Sequence, residues 1–539
     1  MSEEKIQGNT TGTKEALTPC LVLFPDEQGF TAGDAAVLAE RLSFGDLLSK
    51  ESIFLHKPGE NGALGERIKK GKYTAVLGCG PLSDLVEHHL KNLGTRCGIG
   101  ETYRRALQIP AKSAEEYPFQ PAVSRIGKEL ARFSMMERYR SKTVPLNQHV
   151  LVCGAGIAGI EAAGSLSNFG YPVTLVEQSN AIGGELLKTT ASDLTSWKTN
   201  SPKMDNVDIF TETELSDIAG TVGNYRVSLS IPSGEKTIEC GAIVLTQGRG
   251  NPVWAPFEGL EPNFLLLPGL KEKVLGLPRK REIYTIGILL DYQRHETKAS
   301  SDMAFSLAME MQKREDVQVY IFLREVRVAA PGMEKYYDEV REAGVVFVKY
   351  DSLSCFLNDD GFALLQVFEP ILQRDLEIQC SLIGVSPYGL ETTPDKELLE
   401  RTGVSPDREG ALQENNLRMN GVETNRPGIF VAGAVKGTYY VPEVIREAKN
   451  AGMAVHQLLR KKEIEVELSH AVVDKDKCAI CLTCIRSCPY KAMVIDREEG
   501  VAACLPEVCQ RCGICAGECP AKAITLPAYS DEIVMNYLD

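Results

Sequence analysis

Apolar residues along this chain fall into short solid runs separated by stretches of helical recurrence. That is the pattern of strands buried on both faces and joined by helices. The runs at 20–24 and 72–77 read as strands, and 31–48 and 82–93 carry helical spacing of Ala, Val and Leu. A strand at 149–153, a helix at 160–169 and a strand at 172–177 form one βαβ unit; 283–290, 301–313 and 317–323 form another. The stretches 242–248 and 427–434 are apolar strands that end in glycine turns, and 442–459 is a helix. Residues 124–139 are basic and helical, and 143–147 breaks them.

These elements predict an α/β fold. The first βαβ unit falls in 148–280, the second in 281–380, and a further strand and helix in 381–462. Before these come a flexible tail at 1–18, a small α/β domain at 19–112 and a linking segment at 113–147; an α+β domain at 466–539 follows.

The first βαβ turn holds Gly154-Ala155-Gly156-Ile157-Ala158-Gly159 between strand and helix, with Glu177 eighteen positions after the last glycine. A lone G-x-G-x-x-G is weak evidence; this context is that of a dinucleotide finger, with an ordinary βα turn as the plain alternative. Gly154 allows the tight turn, Gly156 lets the backbone approach a pyrophosphate at the helix N-terminus, and Gly159 lets helix and strand close. Glu177 suits ribose hydroxyls and disfavours a 2′-phosphate. In the second βαβ unit the first strand runs into Leu290-Asp291-Tyr292-Gln293-Arg294, without a glycine finger, so direct nicotinamide binding there is not expected.

The C-terminal region carries two cysteine runs of the form C-x2-C-x2-C-x3-C-P, offset by 31 positions. They are Cys478, Cys481, Cys484, Cys488 with Pro489, and Cys509, Cys512, Cys515, Cys519 with Pro520. In such paired runs the fourth cysteine of each serves the other cluster. One [4Fe–4S] cluster is assigned to Cys478, Cys481, Cys484 and Cys519, the second to Cys509, Cys512, Cys515 and Cys488. Zinc is the alternative, but it leaves the crossed cysteines and the prolines without a reason. Cys504 stands outside the pattern as a packed or free thiol. Cys20, Cys79 and Cys97 are one thiolate short of a third cluster and read as buried structural thiols.

Composition narrows the function. With 59 Lys+Arg against 73 Asp+Glu the net charge is −14, which argues against a nucleic-acid partner. Nowhere do eighteen apolar residues run together, so no membrane span is expected, and the polar start lacks the apolar core of a signal peptide. Nine of the sixteen cysteines lie in the cluster region and the rest are scattered, which is not a disulfide framework; thiolate ligands imply a reducing, cytoplasmic setting. The cluster region, 474–527, balances seven Lys/Arg with seven Asp/Glu, as a docked rather than a freely diffusing carrier would. No catalytic Ser/His/Asp array or carboxylate pair is evident among the scattered histidines.

A family resemblance sharpens this. Gly183-Gly184 resembles the second phosphate-side contact of two-dinucleotide-domain flavoproteins. The turn at Gly248 resembles the end of that family's middle strand, and Gly433-Ala434 resembles the turn that meets the ribityl chain. The resemblance implies a thioredoxin-reductase-like fold that binds FAD, with the Rossmann-type domain split between 148–280 and 381–462 and a second βαβ domain inserted at 281–380. The cofactor-binding residues it implies are Gly154, Ala155, Gly156, Ile157, Ala158, Gly159, Glu177, Gln178, Gly183, Gly184, Gly248, Gly433 and Ala434. With the small first domain and the ferredoxin-type tail, the chain from about Pro19 onward resembles the A-type flavin and iron–sulfur subunit of heterodisulfide reductases, including its relatives in quinone-interacting membrane-bound oxidoreductase complexes. Local matches are Pro202-Lys203-Met204, Val222-Gly223-Asn224-Tyr225 and the stretch 337–345. Family members that bifurcate electrons carry a CxxC between the Gly-Gly and the Pro-Lys-Met; here 189–197 has no cysteine. Lys188 reads as a surface lysine, with a place near the flavin as the alternative.

The resemblance implies an electron-transfer subunit that passes electrons between FAD and partner redox subunits through two clusters. It implies a homodimer within a hetero-oligomer. The alternative is a self-contained NAD(P)H-dependent ferredoxin-type oxidoreductase resembling the small subunit of glutamate synthase. A non-catalytic scaffold with a decayed flavin site fits poorly with an intact finger and Glu177.

Overall fold

The computed structural model describes residues 15–16, 19–23, 36, 52–55, 61–71, 73, 75–80, 86, 90, 104–108, 124–130, 137–138, 141–184, 204–248, 252–279, 281–294, 298–359, 361–391, 395–407, 411–412, 414–416, 420–467, 470–526, 529 and 535. The chain divides into two compact units, Pro145–Lys462 and a second made of Met1–Val144 with Glu463–Asp539.

The Pro145–Lys462 unit contains, in chain order, β1 (Val150–Cys153), α1 (Ile157–Asn168), β2 (Val173–Val176), β3 (Val207–Phe210), β4 (Ala242–Leu245), β5 (Phe264–Leu266), α2 (Leu267–Leu275), β6 (Tyr284–Leu289), α3 (Lys298–Met311), β7 (Val317–Leu323), β8 (Val346–Lys349), β9 (Leu382–Val385), β10 (Ile429–Val431) and α4 (Val441–Leu459). The first sheet runs β3-β2-β1-β4-β10 in parallel and is extended by two antiparallel strands, Asn420–Thr424 and Glu414–Asn416. β1, β2 and β4 are buried at every position, because helices or strands cover both faces of this sheet. The chain leaves β1 toward β2 on one side, and β4 lies on the other. The carboxyl end of β1 is therefore a topological switch point, where ligands of such sheets bind.

The second sheet runs β5-β9-β6-β7-β8, all parallel. Its boundary corrects the expected insert of 281–380: β5 and β9, assigned from sequence to the flanking domain, are hydrogen-bonded members of this sheet. A three-residue strand is too short to show a period of its own. Each parallel sheet is accompanied by an antiparallel meander, 214–240 and 352–380, neither of which is among the elements expected from sequence. The alternation is present in the sequence all the same, since Tyr225, Val227 and Leu229 are buried while Asn224, Arg226 and Ser230 are exposed.

In the other unit, Ile53–Leu55, Pro19–Leu23, Ala75–Gly80 and Arg104–Gln108 form a parallel sheet in that order. Arg104–Gln108 escapes prediction, since an edge strand reading RRALQ has almost no apolar signal. The expected helix at 31–48 lies outside the described residues except for position 36, and of 82–93 positions 86 and 90 are described, both helical. The described part of the expected helix 124–139 is helical at 124–130, but Glu137–Arg138 is a strand paired with Glu15–Ala16. This corrects the tail as well, whose residues 15 and 16 are fixed by a pairing far along the chain. Ser141–Pro145, expected to be linker, pairs with Glu463–Glu467.

The cysteine-rich segment repeats one motif. Val472–Val473 pairs antiparallel with Ile524–Thr525, and Met493–Ile495 pairs with Ala502–Cys504. Short helices, Thr483–Ser487 and Ile514–Gly517, follow the two cysteine loops. Its core consists of small and apolar side chains, Ala471, Ala492, Met493, Ala523 and Ile524, with Cys484, Cys488, Cys515 and Cys519 among them.

Candidate cofactor sites

The glycine loop after β1 has a distinct reason for each glycine. Gly154 has φ +100, and a Cβ there would lie 2.9 Å from the backbone of Thr246 and Gln247. A Cβ on Gly159 would lie 1.7 Å from the Gly154 carbonyl oxygen, so no other residue allows α1 to close on the loop. Nothing lies within 4 Å of a Cβ on Gly156, the extended residue that precedes α1. No side chain caps α1, so its first N–H groups face that open space and favour an anion.

Other residues converge on the same loop. The Ala155 N–H donates to Glu177 Oε2 at 2.7 Å, and Ser179 N–H and Oγ donate to Oε1 at 3.0 and 2.9 Å. Gly183 (φ +120) donates its N–H to the Ala155 carbonyl at 2.7 Å, and a Cβ on Gly184 (φ +54) would lie 3.3 Å from the Gly156 Cα. Thr246, at the end of β4, sets its hydroxyl 2.9 and 2.8 Å from the Cys153 and Gly154 carbonyls. The adjoining Gln247 has a buried Oε1 with no hydrogen-bond partner among the described residues, and Gly248 next to it is open. After β10, Gly433 (φ +79) is pressed on Ala158: a Cβ there would lie 2.9 Å from the Ala158 Cβ. Ala434 continues the turn Gly433–Lys436 ahead of α4. Gln178 stands apart, its amide donating to Glu214 at 2.7 Å on the exposed surface.

Glu447, on α4, is a site residue that sequence reasoning missed. Its Oε2 accepts the Gly433 N–H at 3.0 Å, while Thr438 Oγ1 donates to Oε1 at 2.9 Å and Lys436 Nζ lies 3.1 Å from the same oxygen. Lys436 also donates to the Gly421 carbonyl at 2.6 Å. No glycine spacing marks Glu447. Glycines that a Cβ would clash, an uncapped helix start and a placed carboxylate fit a dinucleotide cofactor.

The insert is different at the equivalent turn. Asp291 adopts φ +57, is buried, and accepts the N–H groups of Arg324 and Glu325 through Oδ2 at 3.2 and 3.4 Å. Arg327 Nε lies 4.0 Å from Oδ1. Gln293 and Arg294 donate N–H groups to the Gly389 carbonyl at 3.0 and 3.1 Å, and Tyr350 Oη donates to the Leu290 carbonyl at 2.6 Å. Side chains and internal hydrogen bonds occupy the turn where a pyrophosphate would need bare backbone.

In the cysteine-rich segment, Cys478, Cys481, Cys484 and Cys519 line one cavity, open to solvent. Cys488, Cys509, Cys512 and Cys515 line another, together with Cys504. The fourth cysteine of each run thus stands with the first three of the other. Left-handed residues shape the loops: Ile480 (φ 53) and Leu482 (φ 61) in the first, Arg511 (φ 57) and Gly513 (φ 83) in the second. Ala492 and Ala523 N–H groups donate to Cys488 and Cys519 Sγ, both at 3.3 Å. Among the described residues no three His, Cys, Asp or Glu side chains converge as a single-ion site. Thiols spread around a cavity fit a cluster better than a zinc ion.

Of the remaining thiols, burial pushes those of Cys79 and Cys153 far up, and those of Cys240, Cys355 and Cys380 to about 12, which keeps them protonated and inert. The Cys20 and Cys97 side chains, Lys188 and the stretch 189–197 lie outside the described residues. Among the described residues no helix is long and apolar enough to cross a membrane.

Known proteins resemble this chain. The family model described as pyridine nucleotide-disulphide oxidoreductase matches residues 113–256. The chain is 25% identical to the A-type iron-sulfur subunit of the CoB–CoM heterodisulfide reductase of Methanocaldococcus jannaschii, across 93% of this chain and 94% of that protein. It is also 25% identical to the corresponding A-type subunit of the H2/formate:CoB-CoM heterodisulfide,ferredoxin reductase of Methanococcus maripaludis, across 68% of this chain and 73% of that one. Among solved structures, T. acidophilum thioredoxin reductase is similar with a TM-score of 0.43 and 13% identity, covering 57% of this chain and 98% of that one.

Proposed function

We propose that this heterodisulfide-reductase-like flavin oxidoreductase is the FAD-containing, two-cluster electron-transfer subunit of a larger complex. When bound, FAD handles electrons in pairs or singly and each [4Fe–4S] cluster handles one at a time, so together they convert paired into single-electron transfer. Gly154, Gly156 and Gly159 with the start of α1 hold the pyrophosphate, and Glu177 holds the ribose. Glu447 fixes the Gly433 turn beside the cofactor. Cys478, Cys481, Cys484 and Cys519 hold one cluster; Cys509, Cys512, Cys515 and Cys488 hold the other. No side chain is assigned an acid or base role.

The observation that carries this reading is the crossed sorting of eight cysteines around two separate cavities in a chain that also has an uncrowded dinucleotide loop. The filled turn at Asp291 disfavours direct NAD(P)H oxidation, so the electron partner is another protein. The relatives are each named as one subunit of a reductase, which supports redox partner subunits, and we infer a homodimer within that assembly. Anaerobic stopped-flow mixing with NADH and with NADPH tests the point. The flavin should bleach slowly or not at all; fast, stoichiometric bleaching by either nucleotide overturns it.

A further inference from the structure

Gln247 follows β4 as Glu177 follows β2, and the sheet runs β2-β1-β4, so the two residues flank the glycine loop from opposite sides. A Cβ on Gly154 would lie 2.9 Å from the Gln247 backbone nitrogen and 3.0 Å from its Cα, which puts Gln247 against the loop itself. The neighbouring Thr246 is engaged: its N–H donates to the Cys153 carbonyl at 2.8 Å, and its hydroxyl serves the Cys153 and Gly154 carbonyls. Gln247 Oε1 differs. It is buried, and no donor among the described residues reaches it.

An amide oxygen shut off from water and given no donor is unfavourable. Beside a ligand loop it marks the place of a donor that a ligand brings. The chemistry of that donor can be narrowed. The oxygen only accepts. A pyrophosphate is ionised at neutral pH and has no hydrogen to give it. The adenosine ribose belongs with Glu177, across the loop. A dinucleotide that sets out from Glu177 and crosses the loop at Gly156 brings its other half to the β4 side. In FAD the group next to the pyrophosphate on that half is the ribityl chain, a polyol rich in hydroxyl donors. Gln247 is itself partly exposed, so rotation about its own side-chain bonds turns the oxygen toward such a chain.

We propose that Gln247 is a specificity residue of the dinucleotide site: its amide oxygen accepts a hydroxyl of the polyol beyond the pyrophosphate, and so favours FAD over ligands that end at the pyrophosphate. This rests on the FAD reading above. In the empty protein the oxygen is a cost to stability, and in the loaded protein it is a contact. Gln247 therefore widens the gap between the two states from both sides. It binds and selects, and takes no part in electron transfer.

The test compares FAD with ADP, which shares the adenosine and the pyrophosphate but lacks the polyol, on the full chain freed of flavin. Calorimetric titration gives both affinities, and thermal melting gives the stability of the empty protein. Gln247→Met keeps the length of the side chain and removes the acceptor. It should bind FAD about five- to tenfold more weakly, the loss of one hydrogen bond. It should bind ADP as wild type does, and should melt at or above the wild-type temperature when empty. A Met variant that melts well below wild type when empty, binds FAD as tightly as wild type, or loses FAD and ADP in equal measure overturns the proposal. Wild type that takes up no FAD overturns instead the function it rests on, so the two failures are distinguishable.

Discussion

The carboxylate of Asp291 accepts the backbone N–H of Arg324 at 3.2 Å and thereby closes the end of β6 onto the end of β7. In the first sheet the contact runs the other way: Glu177, after β2, accepts the Ala155 N–H of the turn after β1 and leaves the glycine loop clear. Two copies of one βαβ plan have diverged, one left accessible for a ligand and the other filled by its own side chains.

Asp291→Ala removes the carboxylate that accepts the Arg324 and Glu325 N–H groups and should cost about 1–3 kcal/mol of stability. Asp291→Asn keeps an acceptor oxygen, suits the left-handed conformation and should retain most of it. Urea denaturation of both variants checks the order.

Alanine substitutions separate fold from cradle. Gly159→Ala places a methyl 1.7 Å from the Gly154 oxygen and should cost about 1–3 kcal/mol or more, with loss of flavin. Gly156→Ala meets no protein atom within 4 Å, so its melting temperature should stay near wild type while its flavin content falls. Melting curves and the flavin-to-protein ratio measure both.

The crossing of the cysteines predicts an unusual double mutant. Cys481→Ser and Cys519→Ser come from different runs but line the same cavity. Each single variant and the double variant should lose the same cluster and keep about four irons per chain. If the runs were not crossed, the double variant would lose both clusters.

His149 makes stability depend on pH. Burial chiefly, with Lys236 adding to it and Asp208 opposing, lowers its pKa below 6.5, and its Nε2 lies 2.9 Å from Thr174 Oγ1. The unfolded chain then binds the proton more readily, so this contribution is present above pH 6.5 and is lost as pH falls through the folded value. His149→Asn should flatten the fall in stability between neutral and mildly acidic pH, read from denaturation midpoints.

Whatever depends on local spacing was legible in the sequence. The finger from Gly154 to Gly159, the cysteine runs and the missing glycines at 290–294 all stand where residue order alone put them. Contacts between distant segments left no local trace. The Gly433 turn was legible through resemblance alone, and its seating on Ala158 and its hold by Glu447 depend on packing across the chain. Phe264–Leu266 and Glu15–Ala16 are strands because of their partners, Leu382–Val385 and Glu137–Arg138, and not because of any period in themselves. Gln178 shows the converse: a residue adjacent to Glu177 in sequence turns its side chain to Glu214.

The central claim, one chain joining a flavin to two iron–sulfur clusters, is tested most directly by counting cofactors in anaerobically purified full-length protein. The account predicts about one FAD and about eight non-haem irons per chain, with matching acid-labile sulfide. About four irons or fewer, or protein that neither carries nor takes up FAD, would contradict it.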